Sequence, residues 1–340
     1  MTPSERFDRQ MRFAPLGKEG QERLEGARVL LVGCGALGGA LAQTLVRAGV
    51  GELVLVDRDV VETSNLPRQV LFDERHAVEG TPKALAAVES LERIGGPTRL
   101  EPHVAQLDAR NLPVLGLGAD LLLDGTDNLE TRYLLNDFAV ERGVPWIYAG
   151  VVGASGLVLP VLPRRGACLA CLFQSAPPPG VLPTCDTAGV ILPAVLLVAS
   201  LAAGLALRIL AKGPSDVEPA LLEIDAWGAN VRRLPAPRDP DCRVCAQGRF
   251  ESLHRPAPRD PLVLCGRNAV QIPASSSPPQ LELLARTLAP SAQELQCTRT
   301  FLRFSIEGSR LTVFRDGRIL VEGTNDPRRA RALADRWIGS

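Results

Sequence analysis

A doubly wound, mainly parallel α/β sheet is the fold class that this sequence predicts, and three observations predict it. The apolar run 29–32 leads into Gly33-Cys34-Gly35-Ala36-Leu37-Gly38, after which apolar residues recur at helical spacing through Leu41 and Leu45. That pattern reads strand, glycine turn, helix. A second apolar run, 53–56, delivers Asp57 at its end. Further strand-like runs follow at 99–104, 120–123 and 144–151, with helical patterns at 84–94 and about 128–142 between them. Four or five β-α units in succession build this kind of sheet.

The first unit defines the expected site. Glycines at 33, 35 and 38 let a backbone approach phosphate closely, and the helix start behind them offers free amides and a positive dipole end. Asp57 stands where an acidic side chain accepts a hydrogen bond from a nucleotide ribose. By itself this pattern favours a dinucleotide such as NAD. Asp59, Asn65, Arg68 and Gln69 then crowd into one loop, and Lys83 follows in Gly-Thr-Pro-Lys. Such a set suits a triphosphate with its metal, whose leaving phosphates must be neutralised. Lys83 is one of only three lysines, with Lys18 and Lys212, in a chain whose positive charge is otherwise arginine. Its bland alternative, shared with Arg68, is a solvated surface charge.

Asp127, in Asp124-Gly-Thr-Asp-Asn128, follows the fourth strand and should face the same crevice as Gly35 and Asp57, because ligands of open parallel sheets bind beyond the strand ends. Asp127 or Asn128 could equally cap the next helix. Residues 156–162 read as a hairpin after the fifth strand. Residues 6–24 read as an N-terminal helical segment packed beside the nucleotide fold.

Length and composition bound the rest. At 340 residues, one large domain plus a smaller one is expected: 1–248, a linker at 249–261 and a small α+β module at 262–340. With 38 basic and 38 acidic side chains the chain carries no footprint for nucleic acid or an anionic membrane. The start lacks a signal-peptide pattern, so the cytoplasm is expected. Residues 188–207 hold no charge and are long enough to span a bilayer. Pro193, Ser200 and Gly204 and the absence of interfacial aromatics favour instead a fully buried helix, with a subunit contact as a further role.

Cys168-Leu-Ala-Cys171 and Cys242-Arg-Val-Cys245 are two CxxC knuckles, each placing two thiolates within reach of one cation. Four thiolates in a tetrahedron are the usual structural zinc arrangement, with no open position for catalysis; a dithiol redox pair is the alternative. Cys185 stands at the start of the long apolar segment, where a helix N-terminus would favour its thiolate. Cys265 and Cys297 read as ordinary buried thiols. His76, His103 and His254 form no acid-base constellation and read as structural or exposed. In the last eighty residues, 300–306, 310–314 and 318–322 read as strands, with Asp316-Gly317 a hairpin turn and a helix from Asp326 to Trp337.

The stretch Val-Asp57-Arg-Asp-Val-Val-Glu-Thr-Ser-Asn-Leu-Pro-Arg-Gln69, with Arg6-Phe-Asp-Arg-Gln10 upstream and Asp124-Gly-Thr-Asp-Asn128 downstream, resembles the ThiF/MoeB family of bacterial relatives of ubiquitin-activating enzymes. The likeness covers about the first 245 residues. It implies an enzyme that uses ATP and Mg2+ to adenylate the C-terminal glycine of a small ubiquitin-like sulfur-carrier protein ending in Gly-Gly. It further implies that Asn65, Arg68, Gln69 and Lys83 address the phosphates and that Asp127 binds magnesium with Asp59 helping. Arg9 would reach from one subunit into its partner's ATP site, making a homodimer the active form. The family carries a cysteine at the place of Cys185, which in some members handles the activated carrier or its sulfur, with a sulfur donor such as a cysteine desulfurase as a further partner. Here Leu192 replaces the glycine common before the proline. The C-terminal module resembles the extension of some ThiF-like enzymes. Two other readings compete: an NAD-dependent oxidoreductase, which lacks a hydride-transfer histidine or a tyrosine-lysine pair, and a non-catalytic carrier-binding module.

Overall fold

The expected glycine turn lies at the centre of an eight-stranded sheet. In this computed structural model, residues 3–174, 185–255, 260–264, 268–274 and 279–339 are described, and the chain divides into two compact units, 1–255 and 256–340. The one-turn helices α1 (Pro3–Arg6) and α2 (Asp8–Met11) and the longer α3 (Gly17–Gly26) precede β1 (Arg28–Val32). Then come α4 (Ala36–Ala48), β2 (Glu52–Asp57), α5 (Glu74–Glu79), α6 (Lys83–Ile94), β3 (Arg99–Val104), α7 (Leu112–Leu115), β4 (Leu121–Asp124), α8 (Leu129–Arg142) and β5 (Trp146–Val152). After β6 (Ser155–Val161) the chain forms α9 (Leu169–Leu172), α10 (Cys185–Ala188) and α11 (Leu192–Lys212), then β7 (Ala220–Asp225), β8 (Asn230–Pro235) and α12 (Glu251–His254).

The strands run in the order β3-β2-β1-β4-β5-β6-β7-β8, parallel from β3 to β5 and antiparallel beyond. The order reverses between β1 and β4, so a crevice opens beyond the ends of those two strands. Both faces are covered, as the period of two along a strand requires. Val29 and Leu31 of β1 pack into one core with α4, α6 and α11, while Leu30 and Val32 pack into a second with α7 and α8. β7 and β8 went unread in the sequence; for β8 the reason is that it is exposed along its whole length and carries Arg232-Arg233 in its middle.

Three expectations change in the first unit. The long apolar segment begins at Leu192 and is half buried, with its window of highest hydropathy 50% inside the fold. It lies across α4, α3, β5 and β6, leaving Leu196 40% exposed, so it is a surface-facing core helix and not a fully buried one. Cys185 therefore heads the separate one-turn α10, because Gly189 and Val190 pair with Gly153 and break the helix before α11. Residues 251–254, in the stretch read as linker, form α12, anchored by buried Leu253 and by the Ser252 amide donating to Asp137.

The second unit is a six-stranded antiparallel sheet in the order β11-β12-β13-β14-β10-β9. It comprises β9 (Leu262–Leu264), β10 (Ala269–Ile272), α13 (Leu281–Leu288), β11 (Gln293–Cys297), β12 (Phe301–Ile306), β13 (Ser309–Phe314), β14 (Ile319–Glu322) and α14 (Pro327–Trp337). Leu302, Phe304 and Ile306 alternate into a core with Leu281, Leu288 and Leu333. The three expected strands are its centre; β9, β10, β11 and α13 are additions. Cys297 is exposed, contrary to the buried reading, because it sits on the edge strand β11, whose one neighbour is β12. Cys265 lies outside the described residues.

Candidate active site

Backbone packing builds the crevice. Gly33 follows β1 with φ +88°, in the left-handed region where glycine is unstrained. A Cβ on Gly38 would stand 1.8 Å from the Gly33 carbonyl oxygen, and one on Gly125 would stand 2.5 Å from the same atom. Gly33, Gly38 and Gly125 thus interlock the turn after β1 with the turn after β4. Gly35 differs: a Cβ there would meet only Gln69 Nε2, at 3.7 Å. Its glycine serves open space and not packing. No side chain caps α4, so its first amides remain available to a ligand.

Asp57 closes one wall. The Cys34 amide donates to Oδ2 and the Asp59 amide to Oδ1, each at 2.7 Å. Burial raises its carboxyl above the ordinary value while Lys83 pulls the other way. Lys83, at the first turn of α6, is 4% exposed, with Nζ 3.4 Å from Asp59 Oδ2. It is no solvated surface charge. Gln69 is buried, and its Oε1 has no hydrogen-bond partner. An unpartnered buried acceptor beside Gly35 points to a donor that a ligand or its water supplies.

Asn65 and Arg68 belong to the same loop but serve it locally. Asn65 Oδ1 accepts the Glu62 amide at 3.1 Å and its carbonyl accepts the amides of Arg68 and Gln69, so it shapes the turn that presents Gln69. Arg68 is half-buried and donates through Nη1 to the Ser64 carbonyl at 2.7 Å. Asp127 is exposed at the head of α8, and Asn128 caps that helix by accepting the amides of Glu130 and Thr131. Capping falls to Asn128, which leaves the Asp127 carboxylate uncommitted to the helix. Arg9, on α2, is exposed. The side chain of Cys185 lies outside the described residues.

Sequence reasoning passed over the residues behind Asp127. Asp124, the last residue of β4, is fully buried; its Oδ2 accepts Arg132 Nε at 2.9 Å, and its Oδ1 accepts the Thr126 amide and hydroxyl at 2.8 and 2.7 Å. Burial raises the Asp124 carboxyl, whereas Arg132, although burial opposes its charge too, ends above its ordinary value because Asp124 faces it. A guanidinium does not deprotonate in proteins, so Asp124 faces a permanent cation. The three histidines have other partners: His76 is buried against Asp73 and Glu89, His103 meets Glu101 at 2.8 Å, and His254 is exposed.

The four knuckle cysteines converge. All four sulfurs lie within 4.8 Å of one another, with Cys168–Cys242 at 3.6 Å and Cys171–Cys245 at 3.5 Å. Sulfurs about 2.3 Å from one central ion would sit about 3.8 Å apart, so the set fits a tetrahedral cation. Burial first, then the neighbouring thiols, push Cys168 far up, and burial pushes Cys171 up to about 11. A cation is what would hold these groups as thiolates. Asn136 on α8 accepts the Leu169 amide at 2.8 Å and ties the first knuckle to the sheet.

The ThiF family model matches residues 7–244. The chain is 40% identical over 338 residues to the sulfur carrier protein ThiS adenylyltransferase of Bacillus subtilis (strain 168), spanning 98% of this chain and 99% of that one. It is 42% identical over 248 residues to the sulfur carrier protein adenylyltransferase of Thermus thermophilus, over 71% of this chain and 90% of that protein. Among solved structures, E. coli MccB with MccA-N7isoASN shares the fold at a TM-score of 0.62 and 22% identity, over 72% of this chain and 74% of that one.

Proposed function

This chain belongs to the ThiF family, and from that premise we infer that it adenylates the C-terminal glycine of a ubiquitin-like sulfur-carrier protein with ATP, releasing pyrophosphate. The observation that carries this reading is the gathering at one crevice of the open Gly35 turn, buried Lys83, Asp57 and the unpartnered Gln69 carbonyl. A glycine carboxylate is already ionised at neutral pH and needs no general base. One of its oxygens bonds to the α-phosphorus, the bond to the bridging oxygen breaks, and pyrophosphate leaves with the electron pair.

What remains for the protein is alignment and charge neutralisation. Amides of the 33–38 turn cradle phosphate, Asp57 takes the ribose, and Lys83 with Arg68 meets the β and γ phosphates. Asp127, with Asp59, would hold magnesium, which when bound neutralises phosphate charge and steadies the leaving group. Zinc would occupy the four-cysteine cluster as a structural clip. The subunits would pair as a homodimer, to which exposed Arg9 and the exposed side of α11 are suited, and work in the cytoplasm. The activated carrier would then receive sulfur from a donor such as a cysteine desulfurase, with Cys185 as the thiol to test, for thiamine, molybdenum-cofactor or tRNA thiolation chemistry.

The test is ATP–pyrophosphate exchange with each candidate carrier, intact and without its terminal glycine pair. Exchange that needs the glycines and disappears in Asp127→Ala is the expected result. Clear ATP binding with no exchange for any carrier overturns the reading.

A further inference from the structure

We propose that Arg132 is a positioning residue for adenylation, one that fixes the loop carrying Asp127 without itself touching nucleotide. The inference rests on the function read above. Arg132 stands one turn into α8. Its Nε donates to Asp124 Oδ2 at 2.9 Å, and its Nη2 donates to the Thr126 carbonyl at 2.6 Å and the Ala149 carbonyl of β5 at 3.1 Å. The guanidinium lies over the Tyr148 ring, 5.0 Å from its centroid. One side chain therefore joins the end of β4, the loop beyond it, the helix that follows and the neighbouring strand.

Asp127 stands between two clamps. On one side Thr126 has its carbonyl held by Arg132 and its amide and hydroxyl held by Asp124. On the other, Asn128 is committed to capping α8. Gly125 closes the arrangement by packing its backbone against Gly33 and Gly38, the phosphate-side turn. The backbone of Asp127 is thus set relative to the glycine turn while its carboxylate stays exposed.

A buried ion pair is weak grounds for stability, since an apolar pair of like volume often packs as well or better. What the Asp124–Arg132 pair offers that an apolar pair cannot is directional bonding to two carbonyls and a hydroxyl. Supporting bonds of this sort around a metal ligand are worth about 10- to 100-fold in metal affinity.

The experiment is ATP binding by calorimetry, in EDTA and in Mg2+, for wild type, Arg132→Lys and Thr126→Val, beside pyrophosphate exchange against Mg2+ concentration. Lysine keeps the charge beside Asp124 and loses the fork. The expected result for Arg132→Lys is ATP affinity in EDTA within about twofold of wild type, with the Mg2+ requirement of both binding and exchange raised about 10- to 100-fold. Thr126→Val, which loses one bond to Asp124, should shift in the same direction by less, and it serves if Arg132→Lys does not fold. An unchanged Mg2+ requirement in the folded variants overturns the proposal, as does an equal loss of ATP affinity in EDTA, the mark of a merely structural role. Wild type without exchange, yet with a Mg2+ response that Arg132→Lys loses, overturns the functional reading and leaves the positioning role standing.

Discussion

The end of β2 and the end of β4 carry the same residue in the same sheet, and they use it oppositely. Asp57 and Asp124 are both buried at strand ends bordering one crevice. Asp57 takes one backbone amide on each oxygen and, among the described residues, no side-chain donor, so each oxygen keeps a lone pair for a further partner. Asp124 is consumed by a guanidinium, an amide and a hydroxyl. An ionised carboxylate taken out of water must be compensated, and what compensates it decides its role. Hydrogen bonds from backbone alone, with the Lys83 charge nearby, leave a ligand-ready wall; added hydrogen bonds from side chains make a frame.

The contrast can be broken from the frame side first. Asp124→Ala leaves the Arg132 guanidinium buried without its counter-charge and should cost about 3–5 kcal/mol of unfolding free energy in urea titrations. A loss no greater than that of Asp57→Ala would erase the distinction. On the ligand side, Lys83→Met removes the buried ammonium beside Asp59 and should lower pyrophosphate exchange about 100-fold while thermal unfolding changes little by comparison.

Asp57→Asn sharpens the comparison further. One oxygen becomes an NH2 facing a backbone donor, so a stability loss of about 1–3 kcal/mol is expected, together with about tenfold or greater weakening of ATP binding. Its pH dependence has a definite sign. Burial raises the folded carboxyl above its unfolded value of about 3.9, so ionisation of Asp57 opposes folding above the raised value and this cost is relieved as pH falls through it. The stability gap between wild type and Asp57→Asn should therefore widen as pH is lowered through that raised value toward the unfolded one in denaturant titrations. The smallest effect belongs to Asn128→Ala, the cap of α8, at about 1 kcal/mol by thermal unfolding, with exchange reduced because Asp127 loses one of its two clamps.

Much of the β2 side was legible from the chain alone and much of the β4 side was not. The glycine turn, Asp57, the 59–69 loop and Lys83 lie within about fifty residues, and each carries a local mark: a period of two, a glycine run, an acidic residue at a strand end. The Asp-Gly-Thr-Asp-Asn run was visible too, and Asp127 and Asn128 stood out in it. Asp124 and Arg132 did not: the strand-end mark that Asp57 carries was overshadowed at Asp124 by Asp127 three residues on, and an arginine in a helix of mixed polar and apolar residues looks like an ordinary surface residue. Only their burial sets them apart. The same limit explains α11 and Cys185. Hydropathy marked twenty uncharged, mostly apolar residues but could not tell which side of the helix the sheet would cover, nor that Gly189 and Val190 would pair with Gly153 and separate α10 from α11.

What the sequence determined by itself is what short-range chemistry determines. Alternating apolar runs make strands, left-handed turns need glycine at positions such as Gly33, and paired cysteines at CxxC spacing mark a candidate metal knuckle. The family motifs added the reaction. What the tertiary structure decided is every relation that depends on strand order. Placing β4 beside β1 brings Gly125 against Gly33 and Gly38, and drawing β5 beside β4 sets the Ala149 carbonyl within reach of Arg132. The α8 and β6–β8 packing closes two knuckles 74 residues apart into one cluster. Contacts at such separations form only once the hydrophobic faces of the sheet have chosen their partners, a cooperative choice that no local run of residues encodes.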